Sequence, residues 1–247
     1  MNRRSFLFSA LAASLVAAIP AGSAWAEAPE HVAVLYFENQ GNPELEPLKV
    51  GLAQMLITDL TGEPGIVVVE RAKLQAILDE LELGHSGKVE GETASKVGKL
   101  LGAKWLILGS YFELMGTLRI DARLVRVETG EIVASRGVND KANAFMGMEK
   151  QLAGELKAAL AQKVVPQVHT RSAAGDGAAT PAVISQSTGE VIVAPDAQEL
   201  AAAVSFSEGL IYLDKKDVPR AREAFESAVA ANPNLDAAKT ELASLEI

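Results

Sequence analysis

The chain has 247 residues, no cysteine, and 32 acidic against 23 basic residues, a net charge of −9. Without cysteine it has no disulfide framework, no thiolate metal site and no lipoprotein cysteine to acylate. The acidic balance disfavours nucleic acid and anionic lipid as partners, and the length suits one good domain plus an appendage.

Met1-Asn2-Arg3-Arg4 is a short cationic start, followed by an apolar stretch from Phe6 to Pro20 and by Ala24-Trp25-Ala26, an A-x-A cleavage pattern. That order predicts a signal peptide over 1–26, with a retained N-terminal anchor as the alternative that the cleavage pattern argues against. The apolar stretch, about 15 residues, falls short of the ~20 that span a bilayer. Arg3-Arg4-Ser5-Phe6-Leu7 resembles a twin-arginine signal, a receptor-read address. A general secretory signal that carries two arginines is the alternative. Removing Arg3 and Arg4 from the 23 basic residues leaves 21 against 32 acidic ones, a net charge of −11. No second apolar run of comparable length follows, so the mature chain is expected in the periplasm with no integral membrane span.

Residues 27–165 read as one α/β domain. His31 to Phe37 is a continuous apolar run, as in a strand covered on both faces. Leu48, Leu52, Met55, Leu56 and Leu60 recur at helical spacing, and Gly62-Glu63-Pro64-Gly65 stops that helix. Ile66 to Val69 predicts a second buried strand, and Glu70 to Leu81 a helix with Leu74, Ile77, Leu78 and Leu81 on one face. Gly84 to Gly91 is a polar loop. Ala94, Val97, Leu100 and Leu101 mark a third helix, capped by Gly102, and Trp105 to Tyr111 a third strand.

Leu118, Ile120, Ala122 and Leu124 then alternate with Arg119, Asp121 and Arg123, a half-exposed antiparallel strand. The phase slips at Val125-Arg126-Val127, which predicts a bulge. Glu128 to Glu131 is a hairpin turn into a strand from Ile132 to Val138. A helix follows over about Ala144 to Val164, with Leu152, Leu156 and Leu160 as its core stripe. Residues 166–196, rich in Ala, Gly, Ser, Thr and Pro, read as a flexible linker, with Val191-Ile192-Val193 as a possible short strand.

Residues 197–247 read as helical. Gly209, Tyr212, Ala221, Phe225, Ala228 and Pro233 sit at the offsets of a tetratricopeptide repeat, which this segment resembles. Ser205 and Glu208 depart from the pattern, standing where the repeat usually has Trp and Leu. A single repeat cannot bury its own apolar face, so the hairpin is expected to dock on the main domain, on another copy or on a partner; a plain helical hairpin without a binding role fits equally.

No catalytic or metal constellation stands out. His31, His85 and His169 are far apart, and none has a partner at helical ligand spacing. Gly84 to Lys88 hints at a phosphate loop, but Glu82 stands where its first glycine belongs and Val89 where Ser or Thr belongs. No G-x-S-x-G elbow is present. The scattered acidic residues read as solvated helix faces, and no enzyme activity and no cofactor are expected.

One stretch carries more than pattern. Val69-Glu70-Arg71 is followed by Leu74, Ile77-Leu78 and Glu80, then Ser86-Gly87, then Ala94 through Leu101-Gly102-Ala103, then Leu108-Gly109-Ser110. Over about Val32 to Leu160 the chain resembles the CsgG family of curli production and secretion components and, more loosely, the FlgO, LpoB and TolB N-terminal domains. The resemblance implies an α/β (α+β) fold, a mixed sheet with packed helices, here followed by the helical hairpin. It places structural rather than catalytic roles on Glu70, Arg71, Leu74, Gly87, Gly102, Ala103, Gly109 and Ser110. Glu70 would favour a helix N-terminus, and Arg71 would tie down a neighbouring loop. The CsgG channel is acylated and inserts membrane hairpins; this chain has no cysteine, and Arg119, Arg123 and Arg126 interrupt the strands after Trp105. The leading expectation is therefore a non-enzymatic periplasmic protein that supports envelope assembly or secretion of surface structures by binding envelope or secretion proteins, with homo-oligomers implied by the resemblance. An outer-membrane channel component and a cell-wall-associated binding module of the TolB or LpoB kind are the alternatives.

Overall fold

Residues 28–83, 91–164 and 198–245 are described by the structure, a computed structural model. The signal segment, the loop with Gly87, the segment 166–196 and Val191-Ile192-Val193 lie outside the described residues. The strands are β1 (Glu30–Val34), β2 (Glu38–Asn39), β3 (Ile66–Val68), β4 (Trp105–Leu114), β5 (Thr117–Arg126) and β6 (Ile132–Lys141). The helices are α1 (Leu48–Leu60), α2 (Arg71–Glu80), α3 (Gly91–Leu101), α4 (Phe145–Val164), α5 (Gln198–Asp214), α6 (Val218–Ala231) and α7 (Asp236–Ser244).

The strands form one mixed sheet in the order β3-β1-β4-β5-β6, with β2 added alongside β4. β1 is parallel to β3 and β4, whereas β4–β5 and β5–β6 are antiparallel. The apolar run from His31 is explained by its place: β1 is central, and Val32, Val34 and Phe37 are fully buried. Pairing stops at Val34, although Leu35 still donates to the Ile107 carbonyl at 2.8 Å. Ile66 to Val68 is a strand but not a buried one. It is the sheet edge, and Val67 is 42 % exposed.

The β4–β5 hairpin turns on Met115 and Gly116, with φ of +53° and +79°. Two successive positive φ values make the tight turn whose twist matches paired strands. On β5 the alternation holds: Leu118, Ile120, Ala122 and Leu124 are fully buried. The bulge lies one residue earlier than the phase slip predicts. Leu124 pairs with Ala134 and Val125 with Ile132, which leaves Val133 as the extra residue on β6.

α1 is apolar around its circumference, from Leu48, Leu52 and Leu56 to Val50, Ala53 and Ile57. Such a helix must be covered on two sides. It lies between the sheet and α4 on one side and α5 on the other. At the contact, a Cβ on Gly51 would fall 2.0 Å from Ser207 Oγ, so the two helices meet there almost backbone to backbone. α5 and α6 form a helical hairpin, and α7 packs on α6. Asp217 caps α6 by accepting from the Arg220 amide at 3.3 Å, with Pro219 in the first turn.

Candidate functional site

The residues of the motif at 69–110 have local roles that the backbone explains. Glu70 is the N-cap of α2 through its carbonyl, which accepts from the Lys73 and Leu74 amides, while its exposed carboxylate makes no cap hydrogen bond. Leu74 is buried in the core. Gly102 has φ +69° and donates to Lys99 O at 3.0 Å, and Ala103 donates to Gly98 O at 2.9 Å. These two bonds are the paired closure of a helix end that requires a left-handed residue after the last turn. A Cβ on Gly109 would lie 2.1 Å from Asp121 O and 2.6 Å from the Phe37 ring. Ser110, next on β4, pairs with Glu38 of β2 and Asp121 of β5.

Arg71 bonds Tyr36 in the connection between β1 and β2, and it also reaches well beyond that loop. Its guanidinium is buried and bonds Asp214 Oδ2, at the last residue of α5, at 2.6 Å. Burial disfavours the charge on Arg71, but the Asp214 carboxylate and the Tyr36 hydroxyl together outweigh that and raise its pKa. Beside it the Tyr36 hydroxyl donates to Gln75 Oε1 at 2.7 Å, and Gln75 Nε2 donates to Asp79 Oδ1 at 2.6 Å. Burial pushes the Tyr36 phenol up to about 12. Glu241 on α7 also feels this cluster: burial raises its pKa, with Arg71 opposing and Asp214 adding. The network therefore fastens α2 to the C-terminal helices.

Within those helices, Ala221, Phe225 and Ala228 are fully buried, and the Phe225 ring fills the space over Gly209, where a Cβ would be 2.4 Å away. Phe206 meets Phe225 at 5.9 Å between ring centroids. Tyr212 carries Arg220 over its ring at 5.5 Å. Pro233 is exposed in the turn between α6 and α7.

Among the concavities of the described residues, two bear on partner binding. The larger, about 870 Å³, lies between α3 and the β5–β6 hairpin. Leu108, Val125 and Ile132 floor it, and Lys96, Lys99 and Glu128 stand around it. Leu100, one of the four apolar residues that mark this helix, is 47 % exposed because its side of α3 overhangs the groove rather than the sheet. The smaller, about 260 Å³, lies where α1, α4 and the α6–α7 turn meet, and Glu149 lines it. Glu149 corrects the reading of every acidic residue as solvated: it is 2 % exposed, and its Oε1 has no hydrogen-bond partner. Burial, with the Asp59 charge adding, pushes this carboxyl up to about 8. Its position on α4, one residue from buried Met148, is the only signal the sequence held for it.

Among the described residues no group of three or more His, Asp or Glu is placed to hold a metal, and no helix is long and apolar enough to cross a membrane.

Residues 20–114 match the family model "Curli production assembly/transport component CsgG". The match ends with β4, well short of Leu160, and leaves β5, β6 and the C-terminal helices outside it. No curated protein matches the chain. Solved structures that are similar include the LpoB C-terminal domain from Salmonella enterica, at 17 % identity, 46 % of this chain, 84 % of that one and a TM-score of 0.37. Lipoprotein GNA1162 from Neisseria meningitidis aligns at 17 % identity over 57 % of this chain and 99 % of that one, with a TM-score of 0.42. A PelC dodecamer from Paraburkholderia phytofirmans aligns at 12 % identity over 56 % and 90 %, with a TM-score of 0.32.

Proposed function

We propose that this chain is an exported, CsgG-related protein of the cell envelope that acts by binding other proteins and not by catalysis. The observation that carries the reading is the CsgG family match over residues 20–114. The export pattern of residues 1–26 supports the compartment, with the periplasm as the working location. The groove between α3 and the β5–β6 hairpin supports the mode of action: an apolar floor with Leu100 and Ile132 exposed and lysines around it has the make-up of a protein contact surface. Envelope assembly or secretion of a surface structure is the role, and envelope or secretion proteins are the partners. Residues 27–165 form the CsgG-like unit, and 197–247 a tetratricopeptide-like unit joined to it through 166–196.

Cells expressing the tagged chain would be fractionated, and the periplasmic pool run on size exclusion with light scattering. Release in the periplasmic fraction, as a monomer or a small assembly, is the expected result. Retention in the outer membrane, with extraction only in detergent as a large ring, would replace this reading with that of a channel component. Co-sedimentation with isolated cell wall would replace it with that of a wall-associated module.

A further inference from the structure

The 260 Å³ pocket at the junction of α1, α4 and the α6–α7 turn presents an unusual combination of groups. Glu149 is almost fully buried, and its Oε1 faces no donor. A buried acceptor without a partner is costly and uncommon in a folded protein. Asp59, half-buried on α1, also lines the pocket and makes no hydrogen bond or ion pair within the described residues. Two carboxyl groups from different helices thus share one small space. Asp236, at the start of α7, is the third acid there, but it is exposed and pairs with Lys239 at 3.1 Å.

Among the described residues, Lys150 and Lys157 act on Glu149 through their charge, but neither forms an ion pair with it or with Asp59. Lys150 is exposed at the rim and forms no ion pair within the described residues, and Lys157 is held by Glu63 at 2.9 Å. The remaining walls mix the polar Thr58 and Asn234 with the apolar Met55, Met146 and Leu235. Methionine side chains adapt to an irregular guest. The volume is below the ~300 Å³ at which drug-sized ligand sites begin. It matches a single unbranched side chain rather than a cofactor.

We propose that this pocket recognises one alkyl cation, an ammonium or guanidinium on a short methylene stem, with Glu149 and Asp59 taking the charge and the methionines the stem. This does not rest on the functional reading above. Because the Glu149 carboxyl holds its proton up to about pH 8, a cation must displace that proton. Binding therefore tightens as pH rises through that value, and the groups facing the site that tune it are Asp59, Lys150, Lys157 and Asp236.

The test uses the full chain with 13C-methyl-labelled methionine, titrated with n-butylguanidinium, which stays charged throughout, and with n-butanol as the neutral control. Saturable shifts of the Met55 and Met146 methyls are expected with the cation alone. Its affinity should rise about tenfold between pH 7 and pH 9, the growth in ionised Glu149 for a carboxyl at about 8. Glu149→Gln should lose binding and the pH dependence, and Asp59→Asn should weaken binding at both pH values, with the helical CD signal unchanged in each. A blocked Gly-Arg-Gly peptide distinguishes the sources. If it binds as well, the guest is a protein side chain; if only butylguanidinium binds, the guest is a free small amine. No saturable shift with either cation, equal shifts with butanol, or unchanged affinity in both variants would overturn the assignment.

Discussion

Gly51 of α1 and Ser207 of α5 touch so closely that one added carbon would stand 2.0 Å from the serine oxygen, which itself donates to Ala203 O at 2.6 Å. The C-terminal helices are seated on α1 at this point. Gly51→Ala should cost about 1–3 kcal/mol, the usual range for overpacking a filled contact. Ser207→Gly in the same chain should recover most of the loss. Urea denaturation of the two variants measures both effects.

Arg71 and Asp214 join α2 to the end of α5 across a buried boundary. Asp214→Asn leaves a buried guanidinium without its countercharge and should destabilise by about 3–5 kcal/mol. Replacing both, as Arg71→Met with Asp214→Leu, should cost less than the single change, because no uncompensated charge remains. A double-mutant cycle in urea reads the difference.

Glu149 should tilt the pH dependence of stability. Its folded pKa, about 8, lies above its ordinary value of 4.5. Between these the folded state holds a proton that the unfolded chain has released, so the stabilising term present at low pH is lost as pH rises through the window. The slope is about 1.4 kcal/mol per pH unit at most. Glu149→Gln should flatten the profile and make the protein more stable than the parent at pH 8. Thermal melts from pH 5 to 9 test this.

Phe225 occupies the space over Gly209, so Gly209→Ala would press a methyl into its ring at 2.4 Å. A loss of about 1–3 kcal/mol is expected, with Phe225→Leu relieving part of it in the double variant.

Legibility in the sequence followed how local the cause was. The alternation from Leu118 to Leu124 and the stripe Leu152, Leu156, Leu160 were readable because period alone assigns their faces. Gly102 was readable because a helix end asks for that backbone locally. The edge position of Ile66 to Val68 is not legible, because a short apolar run looks the same at an edge and in the middle of a sheet. The Met115–Gly116 turn is not legible, because Met gives no turn signal where Asn or Asp would. Asp214 is 143 residues from Arg71, and no spacing rule reaches that far. Glu149 looked like any surface acid, since only the arrival of the α6–α7 turn over α4 buries it.

The placement of α1 also ties the sheet domain to a distant part of the chain. Its outer apolar face, near residue 50, is covered by α5, which begins at residue 198. A chain that has its whole sheet and α4 in place but lacks α5 still displays that apolar stripe, and exposed stripes of this kind favour aggregation and proteolysis. The segment from residue 198 onward therefore acts as a built-in cover for a face laid down about 150 residues earlier.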